Sequence, residues 1–257
     1  MDKEFSRTWK LVRYTLASPF SRTYSAKRRW LKERDEWERL GIAATDMERK
    51  VYVARTGAIC ITVSKSANTT LKYMLYPPEK GEPRNAHSDD HMLTRLTDTG
   101  RTLSDLKDGS HRVFTFVRHP VSRFWSCYDT RVAGRAERSS IVRAVAAHSG
   151  IAPRADLPPE MVLDYIRETS PVVLDEHIRP QWACTGVEKI PINFIGRVET
   201  MKDDVLKLRE MGYFDDDNVK RYRHLNQSNS REKPRDERIN DMIREVYARD
   251  MKLFGYE

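Results

Sequence analysis

Residues 59–76 read ICITVSKSANTTLKYMLY, and the interpretation of the chain turns on them. Ile59, Cys60, Ile61, Thr62 and Val63 form a short apolar, β-branched run of the kind that makes a buried strand. Ser64, Ser66, Ala67 and Asn68 are small or polar around Lys65, and after Thr69 the apolar residues Leu71, Met74 and Leu75 fall at helical spacing. The order is strand, tight loop, helix, with a lysine inside the loop. Amides at the start of such a helix point into the loop, and the helix dipole favours an anion there. Thr69 and Thr70 add hydroxyl donors, and Lys65 adds a cation able to reach a bridging oxygen. The chemistry indicated is binding of a phosphate or another tetrahedral oxyanion. The ATP-binding pattern G-x-x-x-x-G-K followed by Ser or Thr is not present, because the loop contains no glycine. A bare strand-to-helix turn with a surface lysine has the same outline, so this stretch alone does not decide a function.

Residues 112–128, RVFTFVRHPVSRFWSCY, repeat the arrangement. Val113 to Val117 reads as a second buried strand, and Arg118 stands at its C-terminal end, the edge where ligands bind in open α/β sheets. Pro120 suits the start of a helix whose apolar face holds Phe124, Trp125 and Tyr128. Arg118 and Ser126 are eight residues apart. A strand-end arginine and a serine on the next helix can grip a second phosphate.

Together, SKSANTT and FVRHPVSRFWSCY resemble the two cofactor motifs of the carbohydrate sulfotransferases, which use 3′-phosphoadenosine 5′-phosphosulfate (PAPS). The first is similar to the 5′-phosphosulfate loop, usually written Pro-Lys where this chain has Ser64-Lys65. The second is similar to the 3′-phosphate motif, with Arg118 and Ser126 at the matching positions. DEHIRPQ (175–181), FIGRVET (194–200), LNQS (225–228) and YARDMKLFGY (247–256) follow in the order seen in the chondroitin, dermatan and heparan sulfotransferase branch. The resemblance covers residues 57 to 257. It implies an α/β fold like that of the P-loop NTPases, a three-layer sandwich whose central parallel sheet is flanked by helices. It also implies PAPS as sulfate donor, adenosine 3′,5′-bisphosphate as product, no metal, and a carbohydrate, glycan or glycolipid acceptor.

The resemblance carries roles onto particular residues. Lys65 would neutralise charge on the bridging oxygen, and the amides and hydroxyls of Ser66, Ala67, Asn68, Thr69 and Thr70 would hold the 5′-phosphate. Arg118 and Ser126 would hold the 3′-phosphate, with Arg123 a weaker candidate, and Asn226 and Ser228 match a late cofactor-contacting loop. The relatives carry a histidine base between the two motifs. Here that interval holds His87, His91 and His111, and His87, then His91, is the favoured base. Asp89 and Asp90 are alternative bases. His119 reads as structural, and His177 as support for the acceptor side or for the fold. Two rival classes remain: a kinase or NTPase with a degenerate phosphate loop, and a basic binding protein. The first needs a magnesium-binding Asp after a strand, where this chain has Arg118-His119. The second predicts scattered basic patches, not a strand-end arginine paired with a helix serine.

At 257 residues, 39% hydrophobic and 33% charged, the chain can bury a sizeable core. The net charge of +8 points to an anionic partner, which the nucleotide donor supplies in part, and no nucleic-acid partner is expected. Three cysteines, Cys60, Cys127 and Cys184, fit a reducing compartment better than a disulfide framework. With neither a long apolar run nor a secretory-type start, the expectation is a cytoplasmic, bacterial member of the family.

The division expected is an N-terminal helical extension over 1–50 and a sulfotransferase domain over 51–257. Phe5, Trp9, Val12 and Leu16 fall at helical spacing among basic residues. Residues 1–29 are therefore the candidate for peripheral membrane contact, the alternative being that this face packs on the catalytic domain. Further elements expected are helices over 27–40, 136–148, 159–169 and 200–211, a first strand within 47–53, a third core strand over 190–198, and one long helix over 235–254.

Overall fold

The computed structural model describes residues 22–81, 89–135, 138–222 and 235–256. The amphipathic segment 5–16, His87, Asn226 and Ser228 lie outside the described residues.

The apolar runs form one mixed sheet of four strands, in the order β1 (Val51–Val53), β2 (Ile59–Ile61), β3 (Val113–Val117), β4 (Phe194–Arg197). The pairs β2–β3 and β3–β4 are parallel, but β1 runs antiparallel to β2, with Val51 opposite Ile61. The wholly parallel sheet expected from the alternation of elements is thus corrected at one edge. A parallel link needs a crossover of a dozen or more residues, whereas only residues 54–58 join β1 to β2. They close a tight turn in which Gly57 donates to the Ala54 carbonyl at φ 81°.

Side chains alternate across the sheet. Tyr52, Cys60, Phe114 and Phe116 face helix α2 (Asn68–Leu75) and helix α7 (Met201–Glu210), packing against Leu71, Met74, Val205 and Leu208. Val51, Ile59, Ile61 and Val113 face the other way, onto Trp30 and Trp37 of helix α1 (Arg22–Arg39) and onto Leu103 and Leu106. Residues 22–50 therefore share a core with the sheet, and Trp37 is only 1% exposed. A third apolar cluster joins α3 (Pro120–Cys127), α4 (Ser140–His148), α5 (Pro159–Glu168) and α9 (Glu237–Val246).

Three expected boundaries move for local reasons. Helix α4 begins at Ser140, where the Ser139 hydroxyl accepts from the Val142 amide. Strand β4 starts only at Phe194, after Pro191 and after Asn193, whose side chain accepts the Val113 amide at 2.8 Å. The long C-terminal helix breaks at Tyr247 into α9 and α10 (Ala248–Phe254). Tyr247 leaves helical geometry (φ −106°, ψ 25°), and its buried hydroxyl donates to the Ile178 carbonyl at 2.5 Å.

Gly196 in β4 has no room for a side chain: a Cβ there would lie 2.5 Å from the buried ring of Phe116. Overpacking of this kind costs about 1–3 kcal/mol. Gly196→Ala should therefore lower the urea midpoint by a corresponding amount, and an unchanged midpoint would show that the ring yields freely.

Candidate active site

Strands β2 and β3 end side by side, and the two loops that leave them form the site. The first loop holds two non-glycine residues in the left-handed region, Lys65 at φ 67° and Ala67 at φ 58°. Each such residue costs of order 1–3 kcal/mol unless its surroundings impose it. Here they do. Ser64 accepts from Lys50 Nζ at 2.8 Å through its hydroxyl and from Arg123 Nε at 3.0 Å through its carbonyl. The Ser66 hydroxyl is fully buried and donates to Gln181 Oε1 at 2.8 Å. Helix α2 then begins with no side chain capping its N-terminus, which leaves the first-turn amides for an anion. Asn68 Oδ1 is buried there without a hydrogen-bond partner. A half-turn of that amide would present a donor at the same point.

Lys65 Nζ donates to Thr130 Oγ1 at 2.6 Å, and the Thr130 hydroxyl donates to the Ser126 carbonyl at 2.7 Å. Thr130 lies in a wide π-type turn, Tyr128–Val132, that continues α3. Burial, then the positive charges of Arg131, Arg118 and Arg123, pull the Lys65 ammonium below its ordinary pKa, outweighing the pull of Cys127. The Cys127 thiol is itself pushed up to about 12 by burial.

Arg118 stands at the end of β3. Its backbone is tied on both sides to Gln181: the amide donates to Oε1 at 3.0 Å and the carbonyl accepts from Nε2 at 2.8 Å. Its guanidinium makes no hydrogen bond or ion pair among the described residues. Burial lowers its pKa, and Glu199 partly offsets this. Glu199 in turn accepts from the His119 amide at 2.8 Å and from the Tyr256 hydroxyl at 3.2 Å. His119 Nδ1 accepts from the Val121 amide at the start of α3, so His119 is a capping residue.

The structure thus brings Lys65, Ser66, Ala67, Asn68, Thr70, Arg118 and Ser126 to one end of the sheet, with two changes of role. The Ser66 hydroxyl is engaged by Gln181 and its amide donates to the Val63 carbonyl at 3.1 Å, so Ser66 holds the loop in shape. Arg123 is 2% exposed and bridges the carbonyls of Ser64 and Glu176, the latter at 3.2 Å, so it is a tie between segments and not a phosphate ligand. His91 lies exposed in the single turn Asp90–Met92. Its neighbour Asp90 accepts from Lys72 at 3.0 Å, Arg95 at 3.1 Å and the Tyr52 hydroxyl at 3.2 Å. Burial raises the Asp90 carboxyl, but these cations outweigh it and hold the pKa low, which makes Asp90 a poor base.

Sequence reasoning passed over Gln181, Asp250 and Thr130. Asp250 is fully buried and accepts the Gln181 and Trp182 amides at 2.7 and 2.8 Å, which anchors the short helix α6 (Gln181–Thr185). The only signal was their membership of DEHIRPQ and YARDMKLFGY, two stretches with no period of their own. Thr130 had no signal at all.

A family model described as the sulfotransferase family matches residues 51–257. The chain belongs to the sulfotransferase family, and its reaction class is sulfuryl transfer. No curated protein and no solved structure matches it.

Two outcomes test this geometry. Gln181→Ala strands the Arg118 amide and carbonyl and the Ser66 hydroxyl, each buried group costing about 1–3 kcal/mol. Denaturation should show a loss of at least about 2 kcal/mol; a loss near zero would mean that the two loops hold themselves. For Asp250, burial pushes the carboxyl up to about 6, against the pull of its two amide donors. A carboxyl raised in the folded state binds its proton there first. Its contribution to stability is complete below an ordinary carboxylate pKa of about 3.9 and is lost as pH rises through about 6. The stability of the wild type relative to Asp250→Asn should therefore fall between about pH 4 and about pH 7, and a flat difference would refute the shift.

Proposed function

We propose that the chain transfers the sulfuryl group of PAPS to a hydroxyl of a carbohydrate or glycan acceptor. The observation that carries the reading is the convergence of Lys65 and the unpaired Arg118 on an uncapped helix N-terminus at the end of two parallel strands. The donor presents a 5′-phosphosulfate and a 3′-phosphate, and the site has a cationic position for each. The open amides of α2 and the rotatable Asn68 amide fit the first, and Arg118 with Ser126 fits the second. Asn226 and Ser228 are proposed as further contacts to the donor. The proposed fold class is that of the P-loop NTPases, with 51–257 as the transfer domain and 1–50 as its extension. The three cysteines, all free and buried, suit a cytoplasmic, reducing setting.

When bound, the donor supplies an activated sulfuryl group joined to phosphate through one bridging oxygen. Lys65 holds the negative charge that grows on that oxygen, where a fixed cation in a partly buried site acts most strongly. Arg118 holds and orients the remote phosphate, so its binding energy serves alignment.

Lys65→Ala should lower kcat by orders of magnitude while adenosine 3′,5′-bisphosphate affinity falls less, and near-normal turnover would remove Lys65 from the reaction. Arg118→Ala should weaken adenosine 3′,5′-bisphosphate by about 1.5–3 kcal/mol, measured calorimetrically without magnesium. Adenosine 5′-phosphate should lose far less. Equal losses for both nucleotides would place the arginine elsewhere.

A further inference from the structure

Resting on the sulfuryl-transfer reading, a second set of groups faces the resting place of Lys65. The wide turn Tyr128–Val132, the start of α4 and the segment 175–177 enclose a cavity of about 380 Å³, whose walls include Thr130, Arg131, Arg135, Arg138, Asp175 and His177. Thr130 is the residue that holds Lys65, so the cavity opens beside the lysine. Two cations also tie the segment 175–177 to the loop that carries Lys65. Glu176, which precedes His177, is paired with Lys50 and bonded through its carbonyl to Arg123, and both of these cations bond Ser64, which precedes Lys65.

Within the cavity wall, His177 Nδ1 lies 2.7 Å from Asp175 Oδ1. Asp175 Oδ1 also accepts the His177 amide at 3.0 Å, and Oδ2 accepts the Ser140 hydroxyl at 2.8 Å. Burial raises the Asp175 carboxyl, but the bonds from His177 and Ser140 outweigh it and hold the group well below the usual carboxylate range. An ionised Asp175 accepts a hydrogen bond from Nδ1–H and so fixes the tautomer in which Nε2 carries the lone pair. Glu176 Oε1 lies 3.8 Å from Nε2, beyond hydrogen-bond range, and the same carboxylate is paired with Lys50 through Oε2. Arg131, Arg135 and Arg138 line the same cavity and have no carboxylate partner among the described residues.

We infer that this cavity is the acceptor site, that His177 Nε2 is the general base, and that the three arginines select an acceptor bearing a carboxylate, sulfate or phosphate near the reacting hydroxyl. His177 Nε2 takes the hydroxyl proton as that oxygen forms its bond to sulfur. The bond from sulfur to the bridging phosphate oxygen breaks, and its electron pair stays on that oxygen beside Lys65. The proton remains on the imidazolium, opposite Asp175, until solvent removes it. A base in this position contributes roughly 10²–10⁴-fold.

The test uses the full chain. Binding of adenosine 3′,5′-bisphosphate is measured first by calorimetry; no binding by the wild type defeats the donor reading itself, separately from this inference. Imidazole ¹⁵N shifts should then show His177 as the Nδ1–H tautomer at neutral pH, and the Nε2–H tautomer would overturn the inference. Release of labelled sulfate from PAPS is followed with an unsulfated chondroitin tetrasaccharide, with neutral chitotetraose, and with water alone. His177→Gln should slow it by roughly 10²–10⁴-fold and abolish the acid limb of the kcat profile, with nucleotide affinity within a few-fold. A normal rate, an equal loss of nucleotide affinity, or loss of the acid limb in His87→Ala instead would overturn the assignment. Arg135→Ala combined with Arg138→Ala should raise KM for the charged tetrasaccharide several-fold more than KM for chitotetraose, and an equal rise for both would overturn the charge selection. Preference for chitotetraose would defeat the charge selection.

Discussion

The side-chain amide of Gln181 is the constraint on which the site depends. Two strands that end side by side send their loops in different directions, and every buried polar group in those loops needs a partner. One amide meets three such needs at once, on Ser66 and on both sides of the Arg118 peptide. Its own backbone is held by Asp250, a fully buried carboxylate at the start of a helix. The helix dipole and the two amide donors offset part of the cost of burying that charge. The C-terminal helix α10 thereby reaches, through two side chains, the loop that carries Lys65.

Around this clamp the charges are arranged asymmetrically. Cations that serve the architecture are paired: Lys50 with Glu176, Lys72 with Asp90, Arg179 with Asp46. Arg123, though buried, has two carbonyls for partners. Lys65, Arg118 and Arg131 have no carboxylate partner among the described residues, and the first two are shifted toward their neutral forms by burial. Like charges held together without counterions destabilise a fold, so an anion entering their midst gains what the free protein forgoes. The same reasoning accounts for Lys65 and Ala67 at positive φ in a loop without glycine: the strain persists because Ser64 and Ser66 are pinned on both sides.

Much of this was legible in the sequence, and the reason is local periodicity. The runs 59–63 and 113–117 are short, apolar and β-branched, and each is followed by an abrupt change to helical spacing, so strand end, loop and helix start could be placed. Arg118 and Lys65 were legible because a charge at the end of an apolar run has few structural explanations. What escaped depends on partners distant in the chain. Nothing near Gln181 announces a contact with Ser66, and the antiparallel turn of β1 was hidden because three residues carry no directional signal. Arg123 read as a ligand because its type and spacing suit one, and only packing reveals that its guanidinium faces two carbonyls. Tyr247 broke the terminal helix through a single hydroxyl bond, which no pattern of apolar residues records.

The contact between Lys65 and Thr130 has one more consequence, and it concerns entropy. A lysine free in solvent samples many rotamers, and immobilising it costs up to about 2 kcal/mol. In the folded chain Lys65 is already extended across the gap to the wide turn and held at 2.6 Å by a neutral hydroxyl. That partner orders the side chain without neutralising it, since a hydroxyl leaves the ammonium charge intact. An arriving anion therefore meets a cation whose freedom is already restricted and whose charge is unclaimed. The wide turn after α3, an irregularity by the standards of helix geometry, is what sets the lysine in waiting.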